Sequence, residues 1–182
     1  MPLRRAGAHA ARSRILLHVR HVIAMLLQNE AGALTRVTGL ISARGYNIES
    51  LSVAPTTDPT VSRFTLVTTG SDAVIAQINA QLLKLVDVVA VEDMTGGDTL
   101  ARELLLIKLQ IPSQHIDPAN ALVRRAAGTV LSSNPSSYIV ELAGTESEIG
   151  EFIAGIGAFG EIIEVVRSGI LGMARSNPRL QK

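Results

Sequence analysis

Few residues in this 182-residue chain have types and spacing that could do chemistry. It has four histidines, His9, His18, His21 and His115, and no cysteine. No HExxH pair occurs, and no carboxylate–histidine cluster has metal-ligand spacing. The read residues are therefore isolated solvent-facing or strand-end histidines. Serines are many, but no GxSxG elbow presents one as a nucleophile. What stands out is QNEAGALTRVTGL, Gln28 to Leu40. An apolar run ends in Gln28–Asn29, and a small-residue turn holding Gly32 leads into a helical pattern, the layout of a ligand loop. GxxxxGK[ST] and GxGxxG are both missing, and the first lysine is Lys84. A phosphate cradle therefore has very little support.

What remains is a helix N-terminus, with unpaired N–H groups and partial positive charge. Gly32 lets a small anion approach the backbone closely. Asn29 is either the N-cap or an amide turned toward a ligand that needs both a donor and an acceptor. A free amino acid is such a ligand: its carboxylate suits N–H groups and its ammonium suits amide oxygens. The plainer alternative is an ordinary capped strand-to-helix turn. Asn47, in RGYNIESLSV, enters a strand where propensity disfavours it. It is turn chemistry, or a group aimed at a neighbour. If two subunits join their sheets, one subunit's Asn47 could face the other's Asn29 loop.

The elements that must position these groups follow from periodicity. HVIAMLLQ (His21–Gln28) predicts a buried strand. A helix follows from about Gly32 to Arg44, with Leu34, Val37, Leu40 and Ile41 inward and Gly45 as a left-handed cap. YNIESLSVAP and SRFTLVTTG predict strands around the TTDPT turn. Ser71 caps a second helix with Val74, Ile75, Ile78, Leu82 and Leu85 inward. DVVAVEDM predicts a fourth strand. The TGGD segment, Thr95–Asp98, is the expected boundary. Beyond it the order recurs. ELLLIKLQI predicts a strand, Asp117–Pro118 opens a short helix as cap and first residue, and Gly128 closes it. TVLSS and SYIVELAG flank a turn at Asn134–Pro135. Thr145–Glu148 predicts a capping box, and EIIEVVRSG a last strand. The expected fold is α+β, two tandem ferredoxin-like βαββαβ domains over residues 21–95 and 99–175. Each helix-free sheet face then needs a cover, which dimerisation would supply.

Composition narrows the function classes. Apolar content is 47% and charged content 18%, a globular profile. No apolar run approaches the ~18–20 residues of a membrane span. The absence of cysteine fits a reducing cytosol, so the expected place is cytoplasmic. Net charge is +1, yet residues 1–20 hold five Arg and no acid, which leaves 12 basic against 16 acidic residues, or −4, for the rest. This mildly acidic body disfavours nucleic acid. An RNA-recognition fold shares the βαββαβ order but needs stacking aromatics, and the chain has three Phe, two Tyr and no Trp. The basic extension, residues 1–20, reads as an organelle transit peptide, or as an untied terminus or an upstream start.

NEAGALTRVTGLISARGYNIESLSVAPTTDPTVSRFTLVT resembles the N-terminal ACT domain of the acetolactate synthase (acetohydroxyacid synthase) small-subunit family. KLVDV, ELLLIKLQ, YIVELAG and EIIEVVRSG are similar to the same family, over about residues 20–175, and the extension departs from the bacterial pattern. The resemblance implies an N-terminal ACT domain and a C-terminal ACT-like domain. It implies a protein without a catalytic site of its own, which binds and activates the large catalytic subunit and confers feedback inhibition by valine. Thiamine diphosphate, Mg and FAD are then expected only on that catalytic subunit, and the chain pairs as a homodimer through its ACT domains. By position, Asn29, Gly32 and Asn47 match the effector site, and Ala33, Leu34 and Ile48 match its surroundings. Thr35 stands where the family often has Ser, which keeps the hydroxyl. The competing expectations are an ACT-type sensor serving another biosynthetic enzyme or regulator, and a stand-alone enzyme.

Overall fold

A computed structural model describes residues 19–96, 98–175 and 180. Most of the basic extension, with His9 and His18, lies outside the described residues. The first half contains β1 (Val19–Gln28), α1 (Ala33–Ser42), β2 (Ile48–Pro55), β3 (Val61–Gly70), α2 (Asp72–Leu82) and β4 (Val88–Asp93). The second contains β5 (Thr99–Gln110), α3 (Ile116–Arg125), β6 (Thr129–Asn134), β7 (Ser137–Gly144), α4 (Glu146–Ile156), β8 (Glu161–Arg167) and β9 (Leu171–Ala174). The sheet orders are β2-β3-β1-β4 and β6-β7-β5-β8, with every pair antiparallel. This is the ferredoxin-like arrangement twice, as the element order predicts.

Each half has its own core. Ile23, Met25, Leu27, Phe64 and Leu66 meet Val37, Ile41, Ile75, Ile78 and Leu82. Leu105, Ile107, Leu109, Tyr138 and Val140 meet Ala119, Val123, Ile149, Phe152 and Ile156. No residue belongs to both. The strand alternation puts these side chains on one sheet face, and the helical repeat supplies the opposing stripes. On α1 that stripe is Ala33, Val37 and Ile41, spaced four apart, and Leu34 is instead 41% exposed.

Several boundaries differ from expectation. Helix α3 begins at Ile116 behind a 3-10 turn, Ser113–His115, so Asp117 does not cap it and Pro118 sits in its first turn, where no N–H is needed. At its end Ala127, not Gly128, takes the left-handed conformation (φ 56°). Gly128 is required for another reason: a Cβ there would lie 3.0 Å from the Glu141 carbonyl oxygen. The capping box holds, with the Glu148 N–H donating to the Thr145 hydroxyl and the Glu148 carboxylate accepting from the Thr145 N–H.

Strand β9 is the element that periodicity misses. It pairs with Thr99–Arg102, the leading end of β5. This short ladder reaches back over the helix-free face of the first sheet. Arg63 Nη2 donates to the Gly172 carbonyl at 2.7 Å, and Gly172 packs beside Val22 and Met94. Gly169, at φ 74°, packs against Ser50 and the Leu51 N–H. Ala24 and Val67, on that face, are fully buried. The cover assigned above to dimerisation is thus supplied here in part by the chain itself.

Candidate functional site

The loop after β1 is held by backbone bonds to two neighbours. The Gln28 N–H donates to the Asp87 carbonyl and the Asn29 N–H to the Thr60 carbonyl, each at 2.8 Å. Asn29 Nδ2 donates to the Pro59 carbonyl at 3.0 Å. Asn29 is therefore not the N-cap. That position belongs to Gly32, in the left-handed region at φ 85°, with no side chain to cap the helix. The Ala33 N–H returns to the Glu30 carbonyl and the Arg36 N–H to the Gly32 carbonyl. Among the described residues, the N–H groups of Leu34 and Thr35 have no acceptor, and neither does the first turn hold an acid. Two donors at a positive helix end are unspent. A cavity of about 410 Å³ lies at the leading end of the loop, lined by Gln28, Asn29, Glu30, Pro59 and Thr60.

Two charged residues that sequence reasoning overlooked frame this loop. Arg36 donates to Asp87 through both Nε (2.5 Å) and Nη2 (2.8 Å), a two-point pairing across 51 residues. Asp87 is buried while Arg36 is half exposed. The hydrogen bonds to Arg36 hold the Asp87 carboxyl below its ordinary value, and the same bonds push the Arg36 guanidinium up. The signal in the sequence is faint: an acid inside the apolar run LVDVVAV, and an Arg one turn past Gly32. Because the folded value is depressed, the pair stabilises the fold above the usual 3.8 and loses that contribution as pH falls through the lower folded value. Arg36→Ala should therefore move the acid-unfolding midpoint to higher pH, read by circular dichroism between pH 2 and 5, roughly the range of carboxylate titration.

The other predicted residues are distributed unevenly. Ala33 is buried under the turn and Leu34 is exposed beside it. Asn47 is exposed and Ile48 half-buried, at the opposite end of the same sheet. Asn29 bonds to Thr60, whereas the Asn47 carbonyl accepts from the Thr68 hydroxyl at 2.7 Å. Thr60 and Thr68 lie eight positions apart along and just before β3, about 26 Å at roughly 3.3 Å per residue. One chain alone does not bring Asn47 to the Asn29 loop.

The two described histidines, His21 and His115, do not come together in a centre. His21, near the leading end of β1, is buried, with Nδ1 3.3 Å from Asp93 and Nε2 3.5 Å from Asp72. His115 Nδ1 lies 2.8 Å from the Phe159 carbonyl. Among the described residues no group of three or more His, Asp or Glu could hold a metal ion. Larger clefts of about 640 and 720 Å³ lie in the second half, lined by residues such as His115 with Phe159 and Arg102 with Glu148. Their size does not outweigh the loop. Arg102 and Glu148 are already paired at 2.7 Å, whereas the loop's donors are free.

Comparison with known proteins matches this architecture half by half. A family model described as an AHAS small subunit-like ACT domain matches residues 23–90, and one described as the small subunit of acetolactate synthase matches residues 102–176. The acetolactate synthase isozyme 3 small subunit of Escherichia coli is 45% identical over 159 residues, covering 87% of this chain and 98% of that protein. The chain belongs to the acetolactate synthase small-subunit family. The small subunit of Haemophilus influenzae is 38% identical, with 89% and 99% covered. The crystal structure of the Thermotoga maritima small subunit superposes with a TM-score of 0.80 at 30% identity, covering 87% of this chain and 99% of that one. Members of this family are regulatory subunits built on ACT-type domains, and a small subunit implies a catalytic large subunit as partner. None of the described helices is long and apolar enough to cross a membrane.

Proposed function

We propose that this chain activates the thiamine-diphosphate large subunit of acetolactate synthase and makes it sensitive to valine in branched-chain amino acid biosynthesis. Valine binds where two ACT halves meet. Gly32, Ala33 and Leu34 of one copy offer the helix N-terminus to its carboxylate. Asn29, with Oδ1 uncommitted, and Asn47 of the second copy serve its ammonium, and Ile48 borders its side chain. The observation that carries this reading is the pair of unspent N–H donors at Leu34 and Thr35 behind a left-handed glycine. The separation of Asn47 from Asn29 within one chain supports a site shared across a homodimer.

The mechanism is two-state. Valine favours one dimer arrangement and shifts the catalytic partner toward its less active form; a ligand without differential affinity shifts nothing. One methylene in an apolar pocket is worth roughly 1–3 kcal/mol, so leucine and isoleucine should act more weakly than valine without being excluded. The test is reconstitution with the catalytic subunit, reading acetolactate formation against valine concentration. Activation that falls with valine, alongside a dimer in sedimentation, is the expected result. Acetolactate formation by this chain alone, or activation indifferent to valine, overturns the reading.

A further inference from the structure

Asn47 immediately precedes β2 and Ile48 begins it, and the next residues of the strand touch the second half of the chain. Ladder pairing places Ile48 opposite Thr68 and Ser50 opposite Val67, so Glu49 is one residue too many, a β-bulge. A bulge turns its side chain away from the regular pleat. Glu49 here accepts from the Thr69 hydroxyl and from Arg20 Nε, the latter at 2.7 Å. Arg20 does not stop there. Its Nη1 donates at 2.5 Å to Glu146, the first residue of α4. One guanidinium therefore ties the bulge beside the proposed effector site to the leading end of a helix in the other half.

Two features reinforce this connection. Gly169 packs on Ser50 and Leu51, immediately after the bulge, and a Cβ there would stand 3.1 Å from Ser50 Oγ. The Ser50 hydroxyl is buried without a hydrogen-bond partner in a cleft of about 360 Å³ between the halves, lined also by Arg20, Glu49, Glu146 and Arg167. The Glu49 carboxyl is held below its ordinary value, first by the Thr69 hydroxyl and then by Arg20, so the tie is fully charged at neutral pH. A bulge is also a place where pairing can slip by one residue, which re-aims every side chain upstream of it.

We propose that Glu49, Arg20 and Glu146 form the relay by which ligand at Asn47 and Ile48 reaches the second half of the chain. This rests on the effector-site reading above. Ligand pulling on Asn47 loads the bulge, Glu49 draws on Arg20, and Arg20 draws on α4. Arginine suits the position because its fixed fork serves two carboxylates at once, which an ammonium on a flexible stem does less well. All three side chains are positioning residues; none touches the ligand.

The experiment uses the full chain with its catalytic subunit and the variants Glu146→Gln, Arg20→Ala and the double. Valine affinity is measured on the chain alone by calorimetry, and half-inhibition on the reconstituted enzyme. Glu146→Gln keeps the Thr145–Glu148 capping box intact. Exposed ion pairs span about two- to fivefold effects, so half-inhibition should rise by that factor while valine affinity stays put. The double variant should be no worse than Arg20→Ala, because both break one chain of contacts. Arg20→Lys should recover part of the response. Half-inhibition unchanged in all three variants overturns the relay. So does a parallel loss of valine affinity, which would make Arg20 part of the site's shape. Absence of valine binding to the unmodified chain is a separate result: it overturns the effector-site reading and the relay with it.

Discussion

Gly32→Asp should abolish valine inhibition of the reconstituted enzyme while sparing its activation. The new carboxylate would stand at the helix end where two N–H groups are unspent. It would occupy that positive end itself and face the ligand carboxylate. Two like charges about 4 Å apart repel by about 4 kcal/mol at an effective dielectric near 20, close to a thousandfold in affinity. Two further costs add to this. Gly32 sits at φ 85°, where any L residue is strained by roughly 1–2 kcal/mol. A Cβ there also comes within 3.0 Å of Arg36 Nη1, so the new acid would compete with Asp87 for Arg36. Gly32→Ala separates the effects: it carries the strain without the charge, so it should lower the stability of the first half by roughly 1–2 kcal/mol and leave most of the inhibition in place. If valine inhibits the Asp variant with an unchanged concentration dependence, the loop is not the effector site.

The parts of this molecule that were readable beforehand are those with local causes. The alternation in ELLLIKLQI set one face of β5, and Leu105, Ile107 and Leu109 are fully buried or nearly so. The left-handed Gly45 and the Thr145–Glu148 box are local chemistry and stand as expected. What could not be read depends on partners distant in the chain. Whether Asn29 caps the helix or turns its amide elsewhere is decided by Pro59, 30 residues away, whose carbonyl takes that amide. Arg36 has no local signal of its role, because its partner Asp87 lies 51 residues away. Strand β9 has only four residues, and its reason to exist is the far end of β5. Leu34 was assigned inward because it is apolar, but the 33-37-41 stripe already fills that face. The same limit applies to the candidate site. Its Gly32 turn is legible from a single segment, while the relation of Asn47 to Asn29 depends on how two sheet ends are disposed and on a second copy.

Phe64→Ala should unfold the first half selectively and silence the valine response. Phe64 is fully buried on β3, opposite Met25 of β1 and Val53 of β2, beneath the helices that carry Val37, Ile41 and Ile78. Truncating such a ring removes its transfer energy and leaves a cavity, at a cost of about 3–5 kcal/mol. For a unit of roughly 60–100 residues each kcal/mol lowers the midpoint by about 4–8 °C, so the fall should exceed about 12 °C. The two cores share no residue, so the second should keep its own transition in calorimetry. Ile107→Ala is the mirror experiment: it should lower the second transition by about 2–5 kcal/mol and leave the first nearly in place. Valine adds a discriminating reading. A ligand at 100 times its Kd stabilises the state that binds it by about 2.7 kcal/mol, so it should raise the first transition of the unmodified chain and not the second. The Arg20–Glu146 tie between the halves is exposed, but Gly169 and Gly172 also pack on the first sheet, so part of the loss in one transition should carry into the other. A single transition that moves as one in both variants would mean that this interface couples the halves more tightly than its contacts account for. It would also replace the idea of a local relay with a chain that switches as a whole.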